Sequence, residues 1–113
     1  MKQKSSVIRC PVSDTVELLA KRWTLLILHQ LSLNGSLRFN QLQSRLNGIG
    51  PRTLSERLKE MEREELVTRK NYAEIPPRVE YSLSEKGEEL IRGCFSPIER
   101  WVKKWKSRTK QSF

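Results

Sequence analysis

At 113 residues the chain has room for one domain with a modest core, and not for two. Its 36% hydrophobic and 31% charged content is that of a soluble protein, and its longest apolar stretch, Leu25 to Leu28, is far too short to span a bilayer. The net charge of +9 favours a polyanionic partner, yet it is unevenly spread. Lysines and arginines outnumber acids five to two in residues 1–35, nine to seven in 36–80 and eight to four in 81–113. Met1 to Ser6 leads into no apolar segment, so no signal peptide is expected. Two cysteines, Cys10 and Cys94, do not make a disulfide framework and suit a reducing cytoplasm.

Residues 1–10 read as a polar, basic arm. Pro11 and the Ser13/Asp14 pair look like a helix start, with Glu17 three residues after Asp14 completing a capping box, and Val12, Val16 and Leu19 give that helix an apolar side. Trp23, Leu25, Leu26, Ile27, Leu28 and Leu31 predict a second helix, apolar on most sides and central to the core, stopping near Asn34-Gly35. Phe39, Leu42 and Leu46 sit at i, i+3 and i+7, a short amphipathic helix ending before Asn47-Gly48. Gly50 is expected to make the sharp turn that follows, and Pro51 to open a longer helix to about Glu65. There Leu54, Leu58 and Met61 share one side of the wheel. Arg52, Glu56, Lys59 and Arg63 share the other, with Thr53 and Ser55 flanking them.

Val79 to Leu83 alternates as a strand does, and Val67 to Tyr72 can pair with it across a loop stiffened by Pro76 and Pro77. Ser84 can cap a last helix, in which Ile91, Phe95, Ile98, Val102 and Trp105 repeat at the spacing of a helix–helix seam. Pro97 predicts a kink or a restart at Ser96. The helix leads into a cationic tail of Lys103, Lys104, Lys106, Arg108 and Lys110, which can be either a solvated terminus or a phosphate contact. The chain is thus expected to be a mainly α winged helix-turn-helix with a small β wing. It is one domain over 1–113, with the helix-turn-helix at 38–65, the wing at 67–83 and the last helix at 84–109.

Nothing in the sequence points to catalysis. The single histidine, His29, sits in the apolar second helix, and Cys10, His29 and Cys94 lack metal-ligand spacing. There is no phosphate-binding glycine loop. No enzyme activity, metal or cofactor is expected. A proline-started polar helix after a short helix and a turn, followed by a wing, is instead the form that reads double-stranded DNA. Arg52 and Lys59 then approach guanine or phosphate, and Thr53 and Ser55 phosphates or base edges. Glu56 needs either Arg52 as a partner or a cytosine amine. Arg78, held by the two prolines, is a candidate wing contact.

The order and spacing of several runs resemble the HxlR family of bacterial winged helix-turn-helix regulators. They are Cys10-Pro11, Lys21 to Leu28, Arg38-Phe39-Asn40-Gln41-Leu42, Ile49 to Glu62, Pro76 to Leu83 and Glu85-Lys86-Gly87. The resemblance implies a transcriptional regulator that binds inverted repeats as a homodimer through its first and last helices. It adds Arg38 to the DNA-facing candidates. The seam itself, with Phe95, Ile98, Trp101, Val102 and Trp105, also supports an interface. Family members often carry serine where Gly50 stands, so a phosphate contact from that hydroxyl is not carried over. Some use a cysteine at the place of Cys10 to sense oxidants or electrophiles. Its position beside Arg9 and a helix start favours a thiolate, against the alternative of a small packed hydrophobe. Two other readings of the chain stand beside this one: a MarR- or PadR-like regulator with a small-molecule ligand, and a winged-helix protein–protein module.

Overall fold

The computed structural model describes residues 10–106. Five helices and three strands follow in the order α1 (Pro11–Ala20), α2 (Thr24–Asn34), β1 (Ser36–Arg38), α3 (Phe39–Arg45), α4 (Pro51–Arg63), β2 (Val67–Tyr72), β3 (Arg78–Leu83) and α5 (Glu85–Trp105). The sheet is antiparallel with β3 between β1 and β2. No helix among the described residues is long and apolar enough to cross a membrane. The first nine residues, and the tail cations Arg108 and Lys110, lie outside the described residues.

Helix α1 starts three residues before the expected capping box. Pro11 occupies its first turn, where the fixed φ suits a helix and the missing N–H costs nothing. The Asp14 N–H already donates to the Cys10 carbonyl at 2.9 Å, so Asp14 lies inside the helix and cannot cap it. None of its residues is fully buried. Val12 and Val16 face outward at 71% and 57% exposure, while Leu18 and Leu19 rest against the core.

Helix α2 carries the centre of the core, with Ile27, Leu28 and Leu31 buried against Leu42 of α3 and Leu54, Leu58 and Met61 of α4. It is entered through Trp23 in a left-handed conformation (φ +83°) and left through Gly35, also at φ +83°. Strand β1 was not foreseen. Three residues are too short to show alternation, and only Leu37 turns inward, opposite Tyr81 of β3.

The end of α4 is closed by backbone alone. The Leu66 N–H donates to the Met61 carbonyl and the Glu65 N–H to that of Glu62, while Glu65 takes the left-handed conformation (φ +64°). This is a Schellman arrangement, completed by the burial of both Met61 and Leu66. Ser84 then joins three elements. Its N–H donates to the Leu66 carbonyl, its hydroxyl donates to that of Glu65, and its Oγ accepts from the Gly87 N–H. Gly87 lies so close to this junction that a Cβ there would collide with the Leu66 carbonyl.

Helix α5 runs unbroken through Pro97, so the expected restart at Ser96 does not occur. Proline removes the donor to the carbonyl four residues back and its ring crowds that group. The residue there is Gly93. Phe95 turns inward and stacks on His29, with ring centroids 4.5 Å apart.

Candidate nucleic-acid interface

The turn between α3 and α4 is held by two buried side chains, Leu46 and Ile49. The backbone reversal falls on Gly48 (φ +97°). Gly50, expected to make it, instead has φ −84° and serves as the N-cap of α4 without a side-chain hydrogen bond. Upstream, the Gln41 side chain accepts the Arg38 N–H at 2.8 Å and fixes the start of α3.

With Leu54, Leu58 and Met61 sealed in the core, α4 presents Arg52, Glu56, Lys59 and Arg63 to solvent, and Thr53 and Ser55 at half burial. Arg52 and Glu56 do not pair with each other, and neither has an ion-pair partner among the described residues. The inner flank is tied down. The Lys21 ammonium lies 2.9 Å from Glu60, Arg57 lies 3.6 Å from the same carboxylate, and the Arg57 Nε donates to the Arg22 carbonyl at 2.9 Å. These contacts fix the roll of α4 and leave its outer face uncommitted.

The wing has two chemically different faces because its register pairs Arg69 with Tyr81, Lys70 with Glu80 and Tyr72 with Arg78. Side chains alternate along a strand, so Arg69, Asn71, Val79 and Tyr81 share one face and Lys70, Tyr72, Arg78 and Glu80 the other. Arg38 of β1 stands opposite Glu80 and therefore belongs to the second face. There the Arg78 guanidinium lies 3.0 Å from Glu74 and 3.3 Å from Glu80, and 4.0 Å above the Tyr72 ring centroid. Arg78, the candidate wing contact, is thus ion-paired with two carboxylates on this face.

The first face was overlooked in the sequence. A recess of about 370 Å³ opens between α4 and the wing, lined by Phe39, Ser55, Lys59, Glu62, Arg69 and Tyr81. Arg69 lies there beside two of the expected residues. Only the register with Tyr81 reveals this, since the alternation of β2 is weak by itself.

Cys10 is exposed and is the N-cap of α1. The Ser13 backbone N–H, the Ser13 hydroxyl and the Val12 N–H lower its thiol pKa below the ordinary value, although none makes a capping hydrogen bond to sulfur. Cys94 is half-buried and lines a groove of about 630 Å³ with Thr15, Leu18, Leu66 and Leu90, between α1 and α5. Of the five expected seam residues, Ile98, Trp101 and Trp105 are exposed at 48%, 54% and 58%, Val102 is half-buried, and Phe95 faces His29. No group of three metal-ligating side chains occurs among the described residues.

The chain is similar to known regulators along most of its length. It is 44% identical over 97 residues to the HTH-type transcriptional regulator YvaP of Bacillus subtilis, covering 85% of this chain and 88% of that protein. The reduced form of the transcriptional regulator YodB from B. subtilis superposes with a TM-score of 0.73 at 34% identity, covering 89% of this chain and 98% of that one. The oxidised form of the redox regulator HypR does so with a TM-score of 0.69 at 31% identity, covering 92% and 100%. The model of the HxlR-like helix-turn-helix matches residues 18–110. With a winged helix already evident in the fold, this match identifies the chain as a member of the HxlR-like family of transcriptional regulators.

Proposed function

We propose that the protein is a homodimeric, sequence-specific regulator that lays α4 into the major groove of an inverted-repeat operator. The observation that carries this reading is the outer face of α4. Arg52, Glu56 and Lys59 stand exposed on a helix whose other flank is fully committed to the core and to Lys21 and Arg22. Arg52 and Lys59 suit guanine edges or phosphates, Thr53 and Ser55 phosphates, and the unpaired Glu56 a cytosine N4 amine. Glu56 thereby becomes a selector, since a carboxylate near a polyanion is tolerable where it finds a donor and repelled elsewhere.

A second copy is the natural cover for the uncovered apolar side chains of α1 and α5. Twofold symmetry would set the two α4 helices about one DNA turn apart. The exposed Cys10 thiol, with its lowered pKa, supports a regulator answering oxidants or electrophiles at the start of α1.

The test is fluorescence anisotropy with duplexes from the gene's own neighbourhood. Tight binding at low salt is expected. Arg52→Ala is expected to cost about 1–3 kcal/mol on the preferred duplex and to flatten discrimination between duplexes. No affinity of the wild-type protein for any duplex at low salt would refute the reading.

A further inference from the structure

The structure assigns a second, sequence-independent site to the recess between α4 and the wing: we infer that Lys59, Ser55 and Arg69 grip one phosphate of the DNA backbone. The inference rests on the DNA-binding reading of α4 and names a residue, Arg69, that the recognition helix does not contain.

The argument is topological first. Adjacent major and minor grooves are separated by a single sugar-phosphate strand. A protein with a helix in one groove and a hairpin towards the next must pass that strand over the surface between them. In this molecule that surface is the recess bounded by α4 on one side and β2 and β3 on the other, with Phe39 of α3 in its lining.

Its chemistry suits the passenger. Ser55 offers a hydroxyl, Lys59 an ammonium and Arg69 a planar guanidinium that can meet two phosphate oxygens at once. Arg69 has no ion pair with any described residue. Arg78 is the opposite case. It lies on the other face of the hairpin, between Glu74 and Glu80 and over Tyr72, so a phosphate would have to displace two carboxylates to reach it. Arg78 is a positioning residue that shapes the wing, and Arg69 makes the contact. Glu62 also lines the recess and opposes an anion there. It therefore sets an upper limit on the grip, and removing its charge should strengthen it.

The experiment compares wild type, Arg69→Gln and Glu62→Gln on two unrelated 30-base-pair duplexes over a salt series. Circular dichroism confirms the fold of each variant. Arg69→Gln is expected to weaken both duplexes by the same several-fold factor and to lower the slope of log K against log salt by about 1. Glu62→Gln should tighten both. If the wild type binds DNA and Arg69→Gln leaves affinity and slope unchanged, the phosphate site is overturned while the reading of α4 survives. If the wild type binds neither duplex, both fall. A thermal shift with inorganic phosphate that Arg69→Gln abolishes, with an unchanged DNA slope, would give the recess to free phosphate and overturn the backbone assignment.

Discussion

Cys10 shows how a single position can be chemically prepared by its surroundings. The sulfur is exposed at the first turn of a helix, with the Ser13 N–H, the Ser13 hydroxyl and the Val12 N–H favouring its thiolate. A lowered pKa means more thiolate at any pH below the ordinary thiol value, so alkylation by iodoacetamide should reach half its maximal rate at a lower pH than for a free cysteine. Ser13→Ala removes the hydroxyl, and the midpoint should move up towards the ordinary value, as followed by mass spectrometry of the Cys10 peptide. An unchanged midpoint would assign the shift to the backbone amides alone. Much of this was legible in sequence, where Cys10-Pro11 announces a helix start. The role of Ser13 was not, because the helix begins at Pro11 and Ser13 therefore lies in its first turn. Arg78 carries the reverse lesson. The two prolines before it make it a candidate wing contact, and its surroundings are partly local, Glu74 from the loop and Glu80 two places along β3, while only Tyr72 reaches it through the hairpin register.

Among the elements, α4 was the most legible, since a helical period of Leu54, Leu58 and Met61 leaves one choice of buried side. Its boundaries were less so. Two glycines flank Ile49, and the sign of φ, which decides that Gly48 turns the chain and Gly50 does not, leaves no mark on composition. The far end holds a non-glycine residue, Glu65, at φ +64°, where a Cβ meets the following carbonyl. Glu65→Gly should therefore stabilise the protein by about 1 kcal/mol, less the small value of the exposed Lys86–Glu65 pair at 3.5 Å. Urea titration would show a raised midpoint at constant slope, and a lowered midpoint would mean that the ion pair outweighs the strain. Strand β1 stayed hidden because its three residues have meaning only beside β3. The continuity of α5 stayed hidden because a proline within a periodic run predicts a break whether or not the surrounding helix holds through it.

For the whole molecule, the uncovered apolar residues of α1 and α5 predict a particle of twice 13.3 kDa in sedimentation equilibrium at micromolar concentration. Trp101→Lys, at a position 54% exposed within one copy, should shift it to 13.3 kDa without loss of helicity. A wild-type protein that sediments as a single chain would count against the dimer. The contacts of Lys21 and Arg22 with α4 have a mechanical consequence for such a particle. Helix α1 is a rod of ten residues, about 15 Å long, that begins at Pro11, just after Cys10, and buries none of them completely. Its far end is fastened by Lys21 to Glu60, and the next residue by its carbonyl to Arg57, both on the middle turns of α4. A displacement of α1 therefore reaches α4 through these two contacts as well as through Leu18 and Leu19, which rest against the core.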